Sequence, residues 1–276
     1  MATLEERRAY YQEGFSPRDR EAALVPACEQ GAAVDVQALL ALGVSLVSPS
    51  GKRLAAKALN AAAAQAHSVE LVRLLLEAGA DPNGLDATQD APLTWAAWYG
   101  ERDTCGLLIE RGARVDYMNP QKETALMKAI KAVKYQARAR EVIPLLLAHK
   151  ANPDGLRPDT VGPLREAIEQ GLEDVAGWLL DAGATANPDF GERPPLLLAV
   201  RRSSSVAFVQ RLLAAGADPN GGVARMSWYP LGEAIERDQR EVARLLLAAG
   251  ARLSLIPAEA RAKATPEMAT LLAGAS

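Results

Sequence analysis

The residues best suited to chemistry in this 276-residue chain are few: two histidines, His67 and His149, and two cysteines, Cys28 and Cys105. A zinc site needs three or four nitrogen or sulfur ligands, usually drawn from closely spaced pairs. Neither histidine has a cysteine or a second histidine at such a spacing, so no zinc site is expected. Nucleophilic and phosphate-binding chemistry has no better footing, because no Gly-x-Ser-x-Gly, P-loop or Gly-x-Gly-x-x-Gly phrase occurs. Cys28 and Cys105 fall in Leu- and Ala-rich stretches, where a thiol acts as a small apolar side chain. Paired carboxylates such as Glu173-Asp174 read as solvated helix charges. The expectation is a protein without catalytic, cofactor-binding or metal-binding residues, and not an enzyme.

The elements that carry these residues repeat. A Leu-rich run followed by a Gly-Ala stop recurs seven times, with markers at Gly43, Gly79, Gly112, Lys150, Gly183, Gly216 and Gly250, spaced 33 to 38 residues apart. Glycine there supplies the left-handed residue that ends a helix. Ahead of each run lies a second amphipathic stretch, often opened by Pro-Leu, as in Pro92-Leu93, Pro163-Leu164, Pro195-Leu196 and Pro230-Leu231. Proline at the first helical position loses no hydrogen bond and presets φ. A period near 33 predicts stacked helical pairs, none of which can bury its apolar side alone. The two cysteines then lie about two repeats apart, too far to bridge.

These phrases resemble the ankyrin repeat, whose pattern runs Thr-Pro-Leu-His-x-Ala-Ala, a turn, a Leu-rich helix and Gly-Ala-Asp-x-Asn. The match is close at Gly79-Ala80-Asp81-Pro82-Asn83 and at Gly216-Ala217-Asp218-Pro219-Asn220. The family's histidine is replaced by Thr94, Met127, Arg165, Leu197 and Gly232, which removes a bond across repeat boundaries. The implied fold is an all-α ankyrin-repeat solenoid of helix-turn-helix units with short hairpin fingers, about eight units including caps. Residues 1–17 are expected to cap it, with a Thr3…Glu6 capping box and a stop at Gly14. Residues 18–276 form the array, with units near 18–50, 51–86, 87–119, 120–157, 158–190, 191–224, 225–254 and 255–276. Leu24-Val25-Pro26-Ala27 and Leu255-Ile256-Pro257-Ala258 are read as the openings of the first and last helix pairs, and Thr265-Pro266 as the start of the final helix. The unit near 120–157 is longer: Lys150 follows Ala129 by 21 residues, where Gly112 follows Ala96 by 16. Its basic insert, with Lys134, Arg138 and Arg140, is expected to extend a helix into solvent.

Composition narrows the partner. Apolar residues are 49%, charged residues 24%, and the formal net charge is −3, which argues against general binding to nucleic acid or anionic membrane. The N-terminus has no apolar signal region and no run of 18 apolar residues occurs, so a cytoplasmic location and a monomer when free are expected. The resemblance implies that first helices and fingers line a concave face. On this chain those positions are Trp95, Trp98 and Tyr99; Lys128 and Lys131; Glu166, Glu169 and Gln170; Leu198, Arg201 and Arg202; and Glu233, Glu236 and Arg237. The fingers add Tyr117 and Met118, and Trp228 and Tyr229, whereas Trp178 falls on a second helix. Aromatic residues are only 5% of the chain, so their gathering on this face points to protein contact, where Trp and Tyr dominate binding energy. Alternating basic and acidic blocks would either match a partner or pair between neighbouring repeats, as Lys131 and Glu169 would. The expected function is a protein-protein interaction module, sharpened by likeness to stand-alone bacterial ankyrin proteins to an inhibitor or immunity-type protein for a toxin or enzyme. The alternatives are a secreted effector that binds host proteins, or a sensor of an anionic ligand or RNA through the basic 120–150 unit.

Overall fold

The computed structural model of the chain describes residues 2–156, 162–187, 194–221 and 228–274, with residues 49 and 50 described by their backbone alone. The unit boundaries expected near 157, 190 and 224 lie outside the described residues. The chain divides into two compact units, Met1–Asn152 and Pro153–Ser276.

The first unit holds α1 (Leu4–Gly14), α2 (Pro17–Glu29), α3 (Ala33–Ala41), α4 (Pro49–Ala63), α5 (Val69–Glu77), α6 (Pro92–Tyr99), α7 (Arg102–Glu110), α8 (Ala125–Ala132) and α9 (Ala139–Ala148). The first helices of successive pairs stack as α2, α4, α6 and α8, and the second helices as α3, α5, α7 and α9. Between the two layers Leu24, Leu39, Leu59, Leu75, Leu93, Leu108, Leu126 and Leu146 are fully buried. Each contributes about 1.5–3 kcal/mol from leaving water. The stacking is close because α6 and α8 themselves carry Ala96, Ala97 and Ala129, all without exposed surface.

Starts and stops follow local chemistry. Thr3 and Glu6 form the expected capping box of α1. The expected opening at Pro26 is corrected, because Pro26 lies inside α2, which begins at Pro17 behind a second capping box made by Ser16 and Asp19. The Ser-Pro-x-Asp phrase, with its reciprocal side-chain bonds, is the stronger start signal, and Pro26 falls in the last turn of α2, after most of the helix is formed. Arg20 of α2 then donates to the Tyr11 and Gln12 carbonyls at the end of α1. On α1 itself, Tyr11 donates its hydroxyl to Asp35 of α3 at 2.8 Å. Burial and that carboxylate push the hydroxyl up to about 12.

The second unit holds α10 (Pro163–Glu169), α11 (Glu173–Asp181), α12 (Pro195–Arg201), α13 (Val206–Ala214), α14 (Pro230–Glu236), α15 (Arg240–Ala248), α16 (Ala258–Ala262) and α17 (Pro266–Ala273). Its two layers run α10, α12, α14, α16 and α11, α13, α15, α17. A 3-10 turn at Leu253–Leu255 leads straight into α16, leaving no space for a finger there. Pro257 caps α16, and Thr265 caps α17 with Pro266 in its first turn.

All seven repeat markers adopt left-handed φ, from 86° to 93° at the six glycines and 66° at Lys150. The Asn three residues past the Ala then reaches one repeat onward. Asn83 Nδ2 donates to the Gly112 carbonyl (3.0 Å) and Asn83 Oδ1 accepts from Arg114 N (2.8 Å). In the second unit Asn187 makes the same pair with Gly216 and Asp218, and Asn220 with Gly250 and Arg252. Where the chain has Asp116 and Asp154 in this role, each carboxylate accepts from the next repeat's backbone, at Asn152 and Thr185.

The longer unit differs from expectation. α8 and α9 keep ordinary lengths, and the insert is a turn-rich loop over residues 133–138 in place of a helix extension. It packs against Gly100, whose φ is 74° and whose missing Cβ would lie 2.5 Å from Ala139 N. The close backbone approach is why the extra residues fold down against the α6–α7 turn.

Candidate functional site

In the first unit, α6 and α8 present one face of alternating aromatic and basic side chains. Trp95 and Tyr99, one helical turn apart, lie nearly parallel with ring centroids 6.2 Å apart. The Lys128 ammonium stands 5.7 Å from the ring centres of both Trp95 and Trp98. Beyond Trp98 lies Tyr135 of the 133–138 loop, again at 6.2 Å, and it is 69% exposed. The inserted loop therefore extends the aromatic row by one ring, a contribution the sequence alone did not reveal.

This row is held from beneath by the fingers. Trp95 Nε1 donates to Asp86 Oδ2 at 2.7 Å. The other oxygen of Asp86 accepts from Thr88 N, Thr88 Oγ1 and Asp90 N, which shapes the loop. Burial pushes the Asp86 carboxyl up, but these bonds outweigh it and hold the group below its ordinary value. One repeat later Asn119 shapes the next finger in the same way by accepting from Glu123 N, and its amide donates to Asp90 at 2.7 Å. The Asn119–Asp90 bond ties finger to finger. Sequence reading missed Asp86, Asp90, Asn119 and Glu123, although Asp86…Asp90 and Asn119…Glu123 sit at matching repeat positions and would have marked them.

Glu123 is the charge centre of the face. It meets Lys131 at 2.7 Å and Lys128 at 3.1 Å, with Asp90 3.8 Å from Lys128. Burial raises the Glu123 carboxyl, and the two ammonium groups more than reverse that, so it stays ionised below its ordinary 4.5. Tyr117 latches one finger to the previous one by donating to the Gln89 carbonyl at 2.7 Å, and burial raises its hydroxyl. Met118 is half-buried beside it. In the basic loop, Arg138 pairs with Glu101 at 3.6 Å.

The second unit places its expected residues differently. Arg165 pairs with Glu169 at 3.0 Å, and Gln170 donates to Glu166 at 2.8 Å. Lys131 and Glu169, expected as a candidate pair, are thus each engaged by a residue of their own repeat. Glu233 is only 7% exposed and lies between Arg201 (3.5 Å) and Arg237 (3.3 Å). Leu198 is buried core, so its expected place on the face is corrected: α12 is short and apolar from Pro195 to Val200, and its neighbours α10 and α14 cover it. Arg202 remains exposed, Glu236 pairs with Lys263 at 3.1 Å, and Arg201 lies 4.2 Å over the Trp228 ring. Trp228 and Tyr229 border a pocket of about 270 Å³ with Glu236, Glu259 and Lys263.

The histidines and cysteines stand apart from these faces. His67 occupies a left-handed turn, φ 57°, where its N–H donates to Glu101, and His149 ends α9. Cys28 and Cys105 are both buried, and burial lifts the Cys28 thiol to about 12 and raises that of Cys105. Neither is a thiolate at neutral pH. Among the described residues no group of three or more His, Cys, Asp or Glu is placed to hold a metal. Nor is any described helix long and apolar enough to cross a membrane.

Comparison with known proteins adds the following. A family model described as ankyrin repeats in three copies matches residues 24–119 and again 93–190. The human ASB11 ankyrin repeat domain is similar in fold, with 24% identity, TM-score 0.60, and coverage of 79% of this chain and 97% of that one. An ankyrin repeat domain from Acinetobacter baumannii AYE matches with 26% identity, TM-score 0.62, and coverage of 70% of this chain and 98% of that one.

Proposed function

The chain belongs to the ankyrin-repeat family, whose repeats generally serve as protein-binding modules, and we propose that it grips a partner protein through the surface of its first helices and fingers. The observation that carries this reading is the row Tyr99, Trp95, Lys128, Trp98, Tyr135, half-buried or exposed and pinned by Asp86 and Glu123. Rigid aromatic side chains give contact area at little cost in conformational entropy. Residues 1–17 cap the array of 18–276 in this reading. Trp95, Trp98, Tyr99, Tyr117, Met118, Lys128 and Lys131 form the contact set of the first unit. Glu166, Glu169, Arg201, Arg202, Glu236, Trp228 and Tyr229 form that of the second, with Glu233 as a support beneath Arg201.

Binding without chemistry acts by occlusion or scaffolding, so the sharper proposal is an inhibitor or immunity-type protein acting on a toxin or enzyme in the cytoplasm of a bacterium. Delivery to another cell as an effector is the competing use of the same surface. The reading as a sensor of an anionic ligand or RNA is disfavoured by the pairing of Lys128 and Lys131 with Glu123 and of Arg138 with Glu101, since their charge is already compensated. The test is affinity capture with the full chain, identification of the partner, and a repeat with Trp98→Ala. A partner whose affinity falls tenfold or more, about 1.4 kcal/mol, supports the reading. A partner indifferent to Trp98→Ala and to Tyr99→Ala places the contact elsewhere and overturns it.

A further inference from the structure

A groove of about 390 Å³ opens in the first unit between α2, α4 and the finger that precedes α6. Asn60 of α4 lines it and is only 4% exposed. Its Nδ2 donates to the Ala56 and Gly84 carbonyls, both at 2.8 Å. Both partners are acceptors, so the amide nitrogen must face them, and Oδ1 is left buried without a donor. The same groove is lined by Glu29 of α2, Asp86 of the finger and Trp95. Asp86 Oδ2 accepts one bond, from Trp95, and retains room for another. Among the described residues the only cation lining the groove is the exposed Lys57, against Glu29 and Asp86, so the charge of that lining is negative on balance.

We infer that this groove receives an arginine side chain presented by the partner protein. A guanidinium carries five donors in one plane, lies flat on an aromatic wall and bears the charge that Glu29 and Asp86 lack. It would supply N–H groups to the Asn60 oxygen and the carboxylates while stacking against Trp95. A lysine head is compact and cannot lie flat, and an apolar or acidic side chain offers the Asn60 oxygen no donor and the carboxylates no opposite charge. The inference rests on the protein-binding reading above and names the residue that anchors the partner.

The test is titration of the ¹⁵N-labelled full chain with the peptide Ac-Gly-Arg-Gly-NH2, and with its lysine and citrulline counterparts. The expected result is saturable shifts of the Asn60 side-chain amide and the Trp95 indole N–H, with affinity about tenfold weaker for citrulline, which keeps the shape and loses the charge. Glu29→Gln weakens the arginine peptide by about threefold and Lys57→Gln tightens it, as the local field requires. Both residues are exposed, so an otherwise unchanged spectrum verifies the fold. Equal binding of citrulline, shifts that map away from the groove, or indifference to Glu29→Gln each overturn the inference. If the captured partner loses affinity with Trp98→Ala while the arginine peptide fails, this inference falls and the protein-binding reading stands.

Discussion

At the scale of single residues, Trp95 and Trp98 look alike in sequence and differ in duty. Trp95 spends its indole N–H on Asp86, and its ring stacks on Tyr99, so it fixes the finger as well as offering a face. Trp98 carries no comparable bond to the finger, and its ring meets Lys128 and Tyr135. Trp98→Ala should therefore cost partner affinity about 2 kcal/mol and leave the thermal melt nearly unchanged. Trp95→Phe, which removes only the indole donor, should lower stability by about 1–3 kcal/mol in urea unfolding, because a half-buried Asp86 loses a bond to its charged form. Equal stability losses in the two variants would show that Trp98 is packing and not surface. Glu123 sets the acid limit of the same face. Its carboxyl titrates lower in the folded chain than its ordinary 4.5, so its contribution to stability is complete above that value and is lost as pH falls through the lower folded value. Glu123→Gln should remove part of the stability loss below about pH 4.5, read as a flatter dependence of the urea midpoint on pH.

At the scale of elements, the repeat-to-repeat Asn bonds explain why the Gly-Ala-x-x-Asn phrase recurs. Each such Asn both donates to the marker residue's carbonyl and accepts from the backbone just beyond it. Asp116 accepts but, as a carboxylate, has no N–H to donate to the Lys150 end of α9. Asp116→Asn should raise stability by about 0.5–1.5 kcal/mol, and Asn83→Asp should lower it by a similar amount. Urea midpoints that do not move in opposite directions would show that these bonds contribute nothing net. Gly100 governs the other irregular element. Its left-handed φ and the nearby Arg138–Ala139 backbone leave no space for a methyl group. Gly100→Ala should destabilise by more than about 1 kcal/mol and loosen the loop that carries Tyr135. The Thr3…Glu6 box and the starts at Pro92, Pro163, Pro195, Pro230 and Pro266 were legible because each is written within four consecutive residues, whereas the Ser16–Asp19 box was passed over for Pro26. The course of the insert was not, because what decides it is a backbone contact with a glycine more than thirty residues earlier.

At the scale of the whole molecule, contacts within each unit run between neighbouring helix pairs, so the stability of each is close to a sum of repeat and interface terms. Helices with stacked neighbours on both sides, such as α4 and α6, should resist hydrogen exchange longest, and the terminal α1 and α17 should exchange first. Uniform protection along the chain, in a hydrogen-exchange time course at neutral pH, would contradict this and indicate one cooperative core.

From the sequence alone came the helix pairs, their order, the left-handed stops at Gly and at Lys150, and the gathering of Trp95, Trp98 and Tyr99 on one surface, because periodicity, caps and turn chemistry are local. Only the tertiary structure decided that Lys128 would lie between two indoles, that Glu123 would hold two lysines, and that Glu233 would be buried between arginines. It likewise decided that Tyr135 would lengthen the aromatic row and that Asn60 would keep an oxygen without a donor. Those outcomes depend on which side chains meet across separate helices and fingers, and a charge or a ring read along the chain does not say what will stand opposite it.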